Sequence, residues 1–398
     1  MIGKKKKILF SPLEPGKSLK KAMDYTPKEV IAHIKNSKLR GRGGAGFPTG
    51  LKWELAFNAP GTQKYIVCNA DEGEPGTFKD RLLITDHPKK IIEGMCLAGY
   101  AVGACEGIIY LRAEYRYLRP NLIQAIEELK TDSLLGENIL GKNFSFNVNI
   151  HLGAGAYVCG EETALLESLE GKRGEARNKP PFPTEQGYLN CPTVVNNVET
   201  LCYVPYIIIN GADWFKEFGT MESKGSKLFS ISGDVKKPGV YELEMGTKVQ
   251  EVLDIVQADN TKAVQVGGAS GICIAEKDFD QPLAFESLPP GGSIIVFNKS
   301  RDMLHVLRNF MEFFVEESCG QCTPCRDGTF RLLEGIKLME DGRCSIHYLK
   351  VLRELAQTMQ IASKCGLGQL APNSFLSIVD NFKGEILARD RVADSVRA

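Results

Sequence analysis

Apolar residues at Val30, Ile31, Ile34 and Leu39 keep a helical spacing, and Thr26-Pro27 ahead of them supplies an N-cap and a first-turn proline. Residues 26–39 are therefore predicted to form a helix. Tyr65-Ile66-Val67-Cys68 is a short unbroken apolar run, the mark of a buried strand, and it ends in the polar loop Asn69-Ala70-Asp71-Glu72-Gly73-Glu74-Pro75-Gly76. The pattern then predicts a helix over 91–104, a strand over 107–111, a helix over 118–130, an alternating strand over 144–152 and a helical stretch ending at Leu169. Strands alternating with helices imply a parallel α/β sheet. Lys179-Pro180-Pro181-Phe182-Pro183 is expected to be a rigid extended strip. From about Lys227 the rhythm shortens: 228–233, 239–243, 263–268 and 293–297 read as strands, with a helix over 249–256, giving a small mixed β domain. After Met303 the pattern is helical to near the end.

Composition narrows the classes. Lys plus Arg and Asp plus Glu both number 49 in 398 residues, so the chain has no global reason to seek nucleic acid or an anionic membrane. Hydrophobic residues at 43% and charged residues at 25% are ordinary for a folded protein and argue against a disordered chain. The run Lys4-Lys5-Lys6-Lys7 is followed by Ser11-Pro12 instead of a long apolar stretch, so it is expected to be a solvated tail and not a signal peptide. No apolar run approaches the ~20 residues of a membrane span. Direct membrane insertion is therefore not expected, and the chain is expected to be cytoplasmic, soluble or peripheral within a complex. Its 12 cysteines should then be mostly reduced.

The cysteines carry the most specific local chemistry. Cys319-Gly320-Gln321-Cys322-Thr323-Pro324-Cys325 spells C-x2-C-x2-C, and Cys365 follows in a remote Cys-Gly-Leu-Gly loop. Three closely spaced thiolates plus one distant thiolate can occupy the four corners of a 4Fe–4S cubane. Zinc is the rival, although its sites usually present two separated pairs. Cys344, also in a loop, competes with Cys365 as the remote ligand.

Glycine-rich loops come next. Gly41-x-Gly43-x-x-Gly46 matches G-x-G-x-x-G but follows a helix instead of a strand, so it is not the Rossmann phosphate turn. Its backbone amides still suit an anion or a flat ring, with Arg40, Arg42 and Lys52 adding positive charge; a plain structural turn is the alternative. Asn69, Asp71, Glu72 and Glu74 sit at a strand end, where open α/β sheets place ligands. Glu161-Glu162 opens a helix, where capping is an equally good reading. None of the five histidines sits in a nucleophilic or metal-binding pattern.

Taken together, the blocks Arg40 to Trp53, Cys68 to Arg81, Gly153 to Leu165 and Pro192 to Thr200, with Glu317 to Arg326 and Cys365 to Gly368, resemble the NADH-binding flavoprotein subunit of respiratory complex I. The same core resembles the diaphorase subunits of NAD-linked hydrogenases and formate dehydrogenases. The resemblance covers residues from about 25 to 370. It implies a Rossmann-like α/β domain for FMN and NADH over 1–225, a β-grasp domain of the soluble-ligand-binding type over 226–302, and an all-α helical bundle with a 4Fe–4S cluster over 303–398. By motif, Gly41, Gly43, Lys52, Asn69, Asp71, Tyr157, Glu161, Asn196, Asn197 and Thr200 would line the FMN site, and Gly44, Gly46, Glu72 and Val195 are further implied cofactor-binding residues. Phe47, Glu74, Glu162, Lys179 and Phe182 would line the NADH site, with Glu74 and Glu162 orienting the nicotinamide. Cys319, Cys322, Cys325 and Cys365 would hold the cluster. Many members carry an aromatic where Leu55 stands, which weakens one stacking wall here. The implied chemistry is hydride transfer from NADH to FMN, then single-electron transfer through the cluster. A thioredoxin-like 2Fe–2S subunit and further iron–sulfur, hydrogenase or dehydrogenase subunits are the implied partners. A flavin-bifurcating or NADP-using diaphorase, or a non-catalytic iron–sulfur scaffold, stays as the alternative.

Overall fold

The computed structural model describes residues 7–386, which leaves most of the N-terminal lysine run and the last twelve positions of the expected helical domain outside the described residues. Helices α1 (Lys17–Ala22), α2 (Pro27–Asn36) and α3 (Thr49–Asn58) precede β1 (Tyr65–Ala70). Then come α4 (Lys79–Asp86), α5 (Pro88–Val102), β2 (Glu106–Leu111), α6 (Arg119–Thr131), β3 (Asn147–Leu152), α7 (Glu162–Leu169), the short α8 (Pro183–Gln186) and β4 (Thr193–Asn197). Helix α2 starts where its capping signals place it: Thr26 and Glu29 form a reciprocal capping box, with Pro27 in the first turn.

Strands β1 to β4 form one parallel sheet in the order β3-β2-β1-β4. Both faces are covered, and the pleat divides the side chains between them. Ile66, Cys68, Ala70, Ile109 and Leu111 enter one core, built largely by α5 and by α9 (Val198–Asn210), which follows β4 directly. Val67, Ile108 and Tyr110 enter a second core with Leu165 and Leu166 of α7. That second core is shared with the C-terminal helices through Leu304, Met311, Phe314 and Leu332.

After α10 (Ala212–Lys216) come β5 (Ser226–Gly233), β6 (Gly239–Glu244), α11 (Val249–Val256), β7 (Thr261–Val266), β8 (Ile272–Ala275) and β9 (Ser293–Asn298). They make a five-stranded mixed sheet, β6-β5-β9-β7-β8, in which only β5 and β9 run parallel. Helices α12 (Met303–Glu317), α13 (Thr323–Glu340), α14 (Ile346–Ala362), α15 (Gly366–Leu370) and α16 (Pro372–Asn381) complete the described chain. Among the described residues no helix is long and apolar enough to cross a membrane.

Two expectations need correction. The strip 179–183 is not polyproline-like: the peptides before Pro180 and Pro181 are cis, and Pro183 opens α8. Prolyl peptides are the ones that accept cis at small cost. The alternating stretch over 144–152 forms strand only from Asn147; Phe144 instead accepts at its carbonyl from the Ile139 amide within a tight loop.

Candidate functional site

The order β3-β2-β1-β4 makes the gap between β1 and β4 the point where the chain's progress across the sheet reverses. Ligands of open α/β sheets bind outside the carboxyl ends of the strands at such a point. Asn69 of β1 lies in register with Asn197 of β4, and Cys68 with Asn196, so four expected site residues (Asn69, Asp71, Asn196 and Asn197) converge there. Asn69 donates to the Gly160 carbonyl (2.9 Å) and accepts from the Asp71 amide (3.1 Å). Asp71 leaves Oδ2 buried without a hydrogen-bond partner, and burial pushes its pKa up to about 7.

The glycine-rich loop rises beside β4. The Arg42 amide donates to Thr200 Oγ1 (2.8 Å) at the start of α9, and the Trp53 indole donates to Asn196 Oδ1 (2.8 Å). Gly43 stands against the Asn197 side chain, where a Cβ would come within 3.1 Å of the Asn197 Cβ. Gly43, Gly44 and Ala45 form an exposed crest, and nothing lies within 4 Å of where a Gly44 side chain would start. An open backbone cradle beside an orphaned buried carboxylate oxygen fits a polar flat ligand such as FMN.

Around the crest the charges are paired. Lys52 Nζ sits 2.8 Å from Glu162, 3.1 Å from the Val195 carbonyl and 5.8 Å from the Phe47 ring centroid. Lys179 reaches Glu161 (2.7 Å) and Glu162 (3.4 Å). Burial would raise the Glu162 pKa, but Lys52 and Lys179 hold it below the usual range. Phe47 is 44% exposed and Phe182 is 50% exposed, large apolar rings left open, Phe47 just ahead of α3, which carries Lys52, and Phe182 on the loop that carries Lys179. Leu55 is exposed as well.

Not every expected residue faces the cleft. Glu72 accepts from the Asp80 and Arg81 amides (2.8 and 3.1 Å) and from the Tyr115 hydroxyl (3.0 Å), so it serves the N-terminus of α4. Glu161 Oε2 accepts from the Thr163 and Ala164 amides, capping α7, while Oε1 holds Lys179. Glu74 accepts from the Tyr157 hydroxyl (2.6 Å) and from the amide and hydroxyl of Ser270 (3.0 and 2.8 Å), and burial raises its pKa. Ser270, from the turn after β7, has no sequence signal pointing here.

Sequence reasoning also missed a buried ionic group behind Asn197. Lys79 pairs with Asp80 (2.7 Å) and Glu199 (2.8 Å), and Lys227 of β5 pairs with Glu199 (3.2 Å) while donating to the Arg42 carbonyl (2.8 Å). Asn197 donates to Asp80 Oδ2 (2.7 Å), tying the group to the cleft. Burial pushes the Lys227 pKa down to about 8 despite Glu199.

The four expected ligand thiols form a separate site. Cys319, Cys322, Cys325 and Cys365 line one small cleft with Val158 and Leu367, and Cys344 is not among its walls. Among the described residues no group of three or more His, Cys, Asp or Glu is drawn together for a single metal ion. Thiols set around a cleft, at the N-cap positions of α13 (Cys322) and α15 (Cys365), suit a multi-iron cluster with one thiolate per corner.

Comparison with known proteins follows the same division. The Nuo51 FMN-binding domain matches residues 34–206, and the NADH-ubiquinone oxidoreductase-F iron-sulfur binding region matches residues 305–389. NAD-reducing hydrogenase HoxS subunit alpha of Cupriavidus necator is 49% identical over 358 residues, covering 89% of this chain and 60% of that protein. The F 2 subunit of the NADH-quinone oxidoreductase of Rhizobium meliloti is 43% identical over 395 residues, covering 96% and 94%. Among solved structures, an NAD+-reducing [NiFe]-hydrogenase in the H2-reduced state superposes with a TM-score of 0.90 at 41% identity. That match covers 96% of this chain and 66% of the other, so the chain spans about three fifths to two thirds of the hydrogenase subunits it matches.

Proposed function

The chain belongs to the family of the NADH-quinone oxidoreductase F subunits, with FMN-binding and 4Fe–4S-binding regions, and from that premise we propose that it works as a diaphorase. In this reading it oxidises NADH and delivers the electrons to a partner subunit. Bound FMN supplies the acceptance of hydride, and the cluster supplies single-electron transfer. The chain's own residues bind and orient. The Phe47 and Phe182 faces stack the adenine end of the nucleotide, and Glu162, held by Lys52 and Lys179, directs its nicotinamide end. Gly43 to Ala45, Asn69, Asp71 and Asn197 seat the flavin. Glu74, engaged by Tyr157 and Ser270, braces the acidic loop from behind. The three units are read as a Rossmann-like domain, a β-grasp domain and a cluster-bearing bundle, within the boundaries 1–225, 226–302 and 303–398.

One observation carries the reading: the segment from Tyr157 to Glu162 borders both sites. Its Val158 lines the cysteine cleft, while Glu162 faces Lys52 in the flavin cleft. Tyr157 bonds to Glu74 through its hydroxyl, donates its amide to Glu317 (2.8 Å), and packs on Phe313 of α12 at 5.0 Å, just ahead of Cys319. Electrons leaving the first site would thus meet the second across a few side chains. A thioredoxin-like 2Fe–2S subunit and further iron–sulfur or hydrogenase subunits are the partners this reading assigns, in a cytoplasmic complex.

The test is anaerobic reconstitution with iron, sulfide and FMN. NADH should bleach the flavin absorbance; a flavin band that NADH leaves unchanged sinks the proposal. Phe182→Ala and Glu162→Gln should each raise the KM for NADH about tenfold in a ferricyanide assay, with FMN retained.

A further inference from the structure

The glycine-rich loop is held from outside the parallel sheet. Phe285, in the connection between β8 and β9, lies half-buried with the Arg40 guanidinium 4.4 Å from its ring centroid. The ring also rests on Gly46, where φ is +66° and a methyl group would overlap the ring. Arg40 Nε donates to the Gly46 carbonyl (2.7 Å), and the Gly41 amide donates to the Phe47 carbonyl (2.9 Å), so the two ends of the loop are laced together beneath the ring.

Phe285 is itself anchored. Its amide donates to Ser223 Oγ (3.0 Å), and Ser223 donates to Glu286 (2.5 Å), which also accepts from the Thr220 hydroxyl. Ser223 is fully buried. The five-stranded sheet itself supplies a second hold through Lys227 of β5 on the Arg42 carbonyl. Between these two holds lies the exposed crest, and immediately after Gly46 comes the exposed ring of Phe47.

We propose that Phe285 is a positioning residue: it clamps the glycine-rich loop so that Phe47 is presented in its nucleotide-binding position before the nucleotide arrives. This rests on the diaphorase reading and gives the five-stranded sheet a task within it. A loop ordered in advance spares the binding step the entropy of ordering it. Without the ring, that ordering falls on nucleotide binding, and affinity drops while the chemistry, once the nucleotide is seated, does not.

The experiment uses the reconstituted full chain as wild type, Phe285→Ala and Phe285→Tyr. Hydrogen exchange of residues 40–48 should accelerate in Phe285→Ala. Its KM for NADH should rise about tenfold, the scale of one desolvated cation–π contact, with kcat within about twofold of wild type. Phe285→Tyr, which keeps the ring, should restore both. Unchanged exchange, a kcat loss at constant KM, or a Tyr variant that behaves like the Ala variant would each overturn the clamp. Should Phe285→Ala not fold, Phe285→Leu keeps apolar bulk and removes the aromatic face from Arg40, and faster loop exchange with a raised KM is again expected; wild-type exchange and KM in that variant would overturn the clamp. If wild type itself fails to oxidise NADH, the diaphorase reading falls, and loop exchange in Phe285→Ala against wild type still decides the clamp.

Discussion

Asp71 and Glu72 are neighbours in one acidic loop, and pattern alone assigns both to the site. The backbone sends them in opposite directions. Glu72 receives two amides of α4 and a tyrosine hydroxyl, whereas Asp71 keeps Oδ2 buried and unpartnered. Burial pushes both carboxyls up to about 7, and Asp71 gives the cleaner test because Glu72 is also tied to the amides at the start of α4. The Asp71 pKa, raised by burial to about 7, lies above its value in an unfolded chain. Between roughly pH 4 and 7 the folded state therefore keeps a proton that the unfolded state has released, and stability falls as pH rises, by at most ~1.4 kcal/mol per unit. In the cofactor-free protein, Asp71→Asn should remove its share of this slope, leaving that of the other buried carboxyls, Glu72, Glu74 and Glu93. The variant should match wild type near pH 4 and be the more stable of the two at pH 8 in urea unfolding. Equal stability at both pH values would show that Asp71 ionises freely in the fold.

At the scale of elements, legibility followed local signals. Helix α2 announced itself through Thr26, Pro27 and its apolar spacing, because capping and amphipathic period are written within a few residues. Strand β4 and helix α9 were not legible. Val194-Val195 is too short an apolar run to stand out between polar neighbours. Helix α9 contains Pro205 and an Ile-rich end, is buried almost throughout, and so lacks the polar face that betrays a helix. Missing β4 hid the reversal in strand order, although its asparagines were recognised by motif. The cysteine elements show the reverse: spacing alone left Cys344 and Cys365 level, and packing separates them. Cys365→Ser should abolish the cluster's share of the visible absorbance and most of the iron of the reconstituted protein, with the flavin band kept, because it removes one thiolate from the cysteine cleft. Cys344→Ser should leave both intact. Iron loss in the Cys344 variant with retention in the Cys365 variant would reverse the assignment.

The whole molecule is organised by contacts that no local pattern encodes. The cleft draws on residues from Gly41 to Thr200, and its supports come from Lys227 on the second sheet and from Ser270 and Phe285 in the connections between its strands. The deepest of these joints is the buried ionic group. Glu199 and Lys227 are both 0% exposed, so neither charge has water to fall back on. Burial would raise the Glu199 pKa, but Lys227, Lys79 and Arg42 together hold it below the usual carboxylate range. Removing one member of such a group leaves the others uncompensated, which typically costs about 3–5 kcal/mol. Glu199→Gln strips the shared anion from Lys227 and Lys79 and should lie at that end. Lys227→Met leaves Glu199 paired with Lys79 at 2.8 Å, so its loss should be smaller, on the order of 1–3 kcal/mol. In the double variant the methionine replaces a lysine that has already lost its carboxylate. The combined loss should therefore fall short of the sum by about 0.5–3 kcal/mol, read from a double-mutant cycle in urea unfolding. Strict additivity would mean that Lys227 is not coupled to Glu199 and holds the glycine-rich loop only through its hydrogen bond to the Arg42 carbonyl.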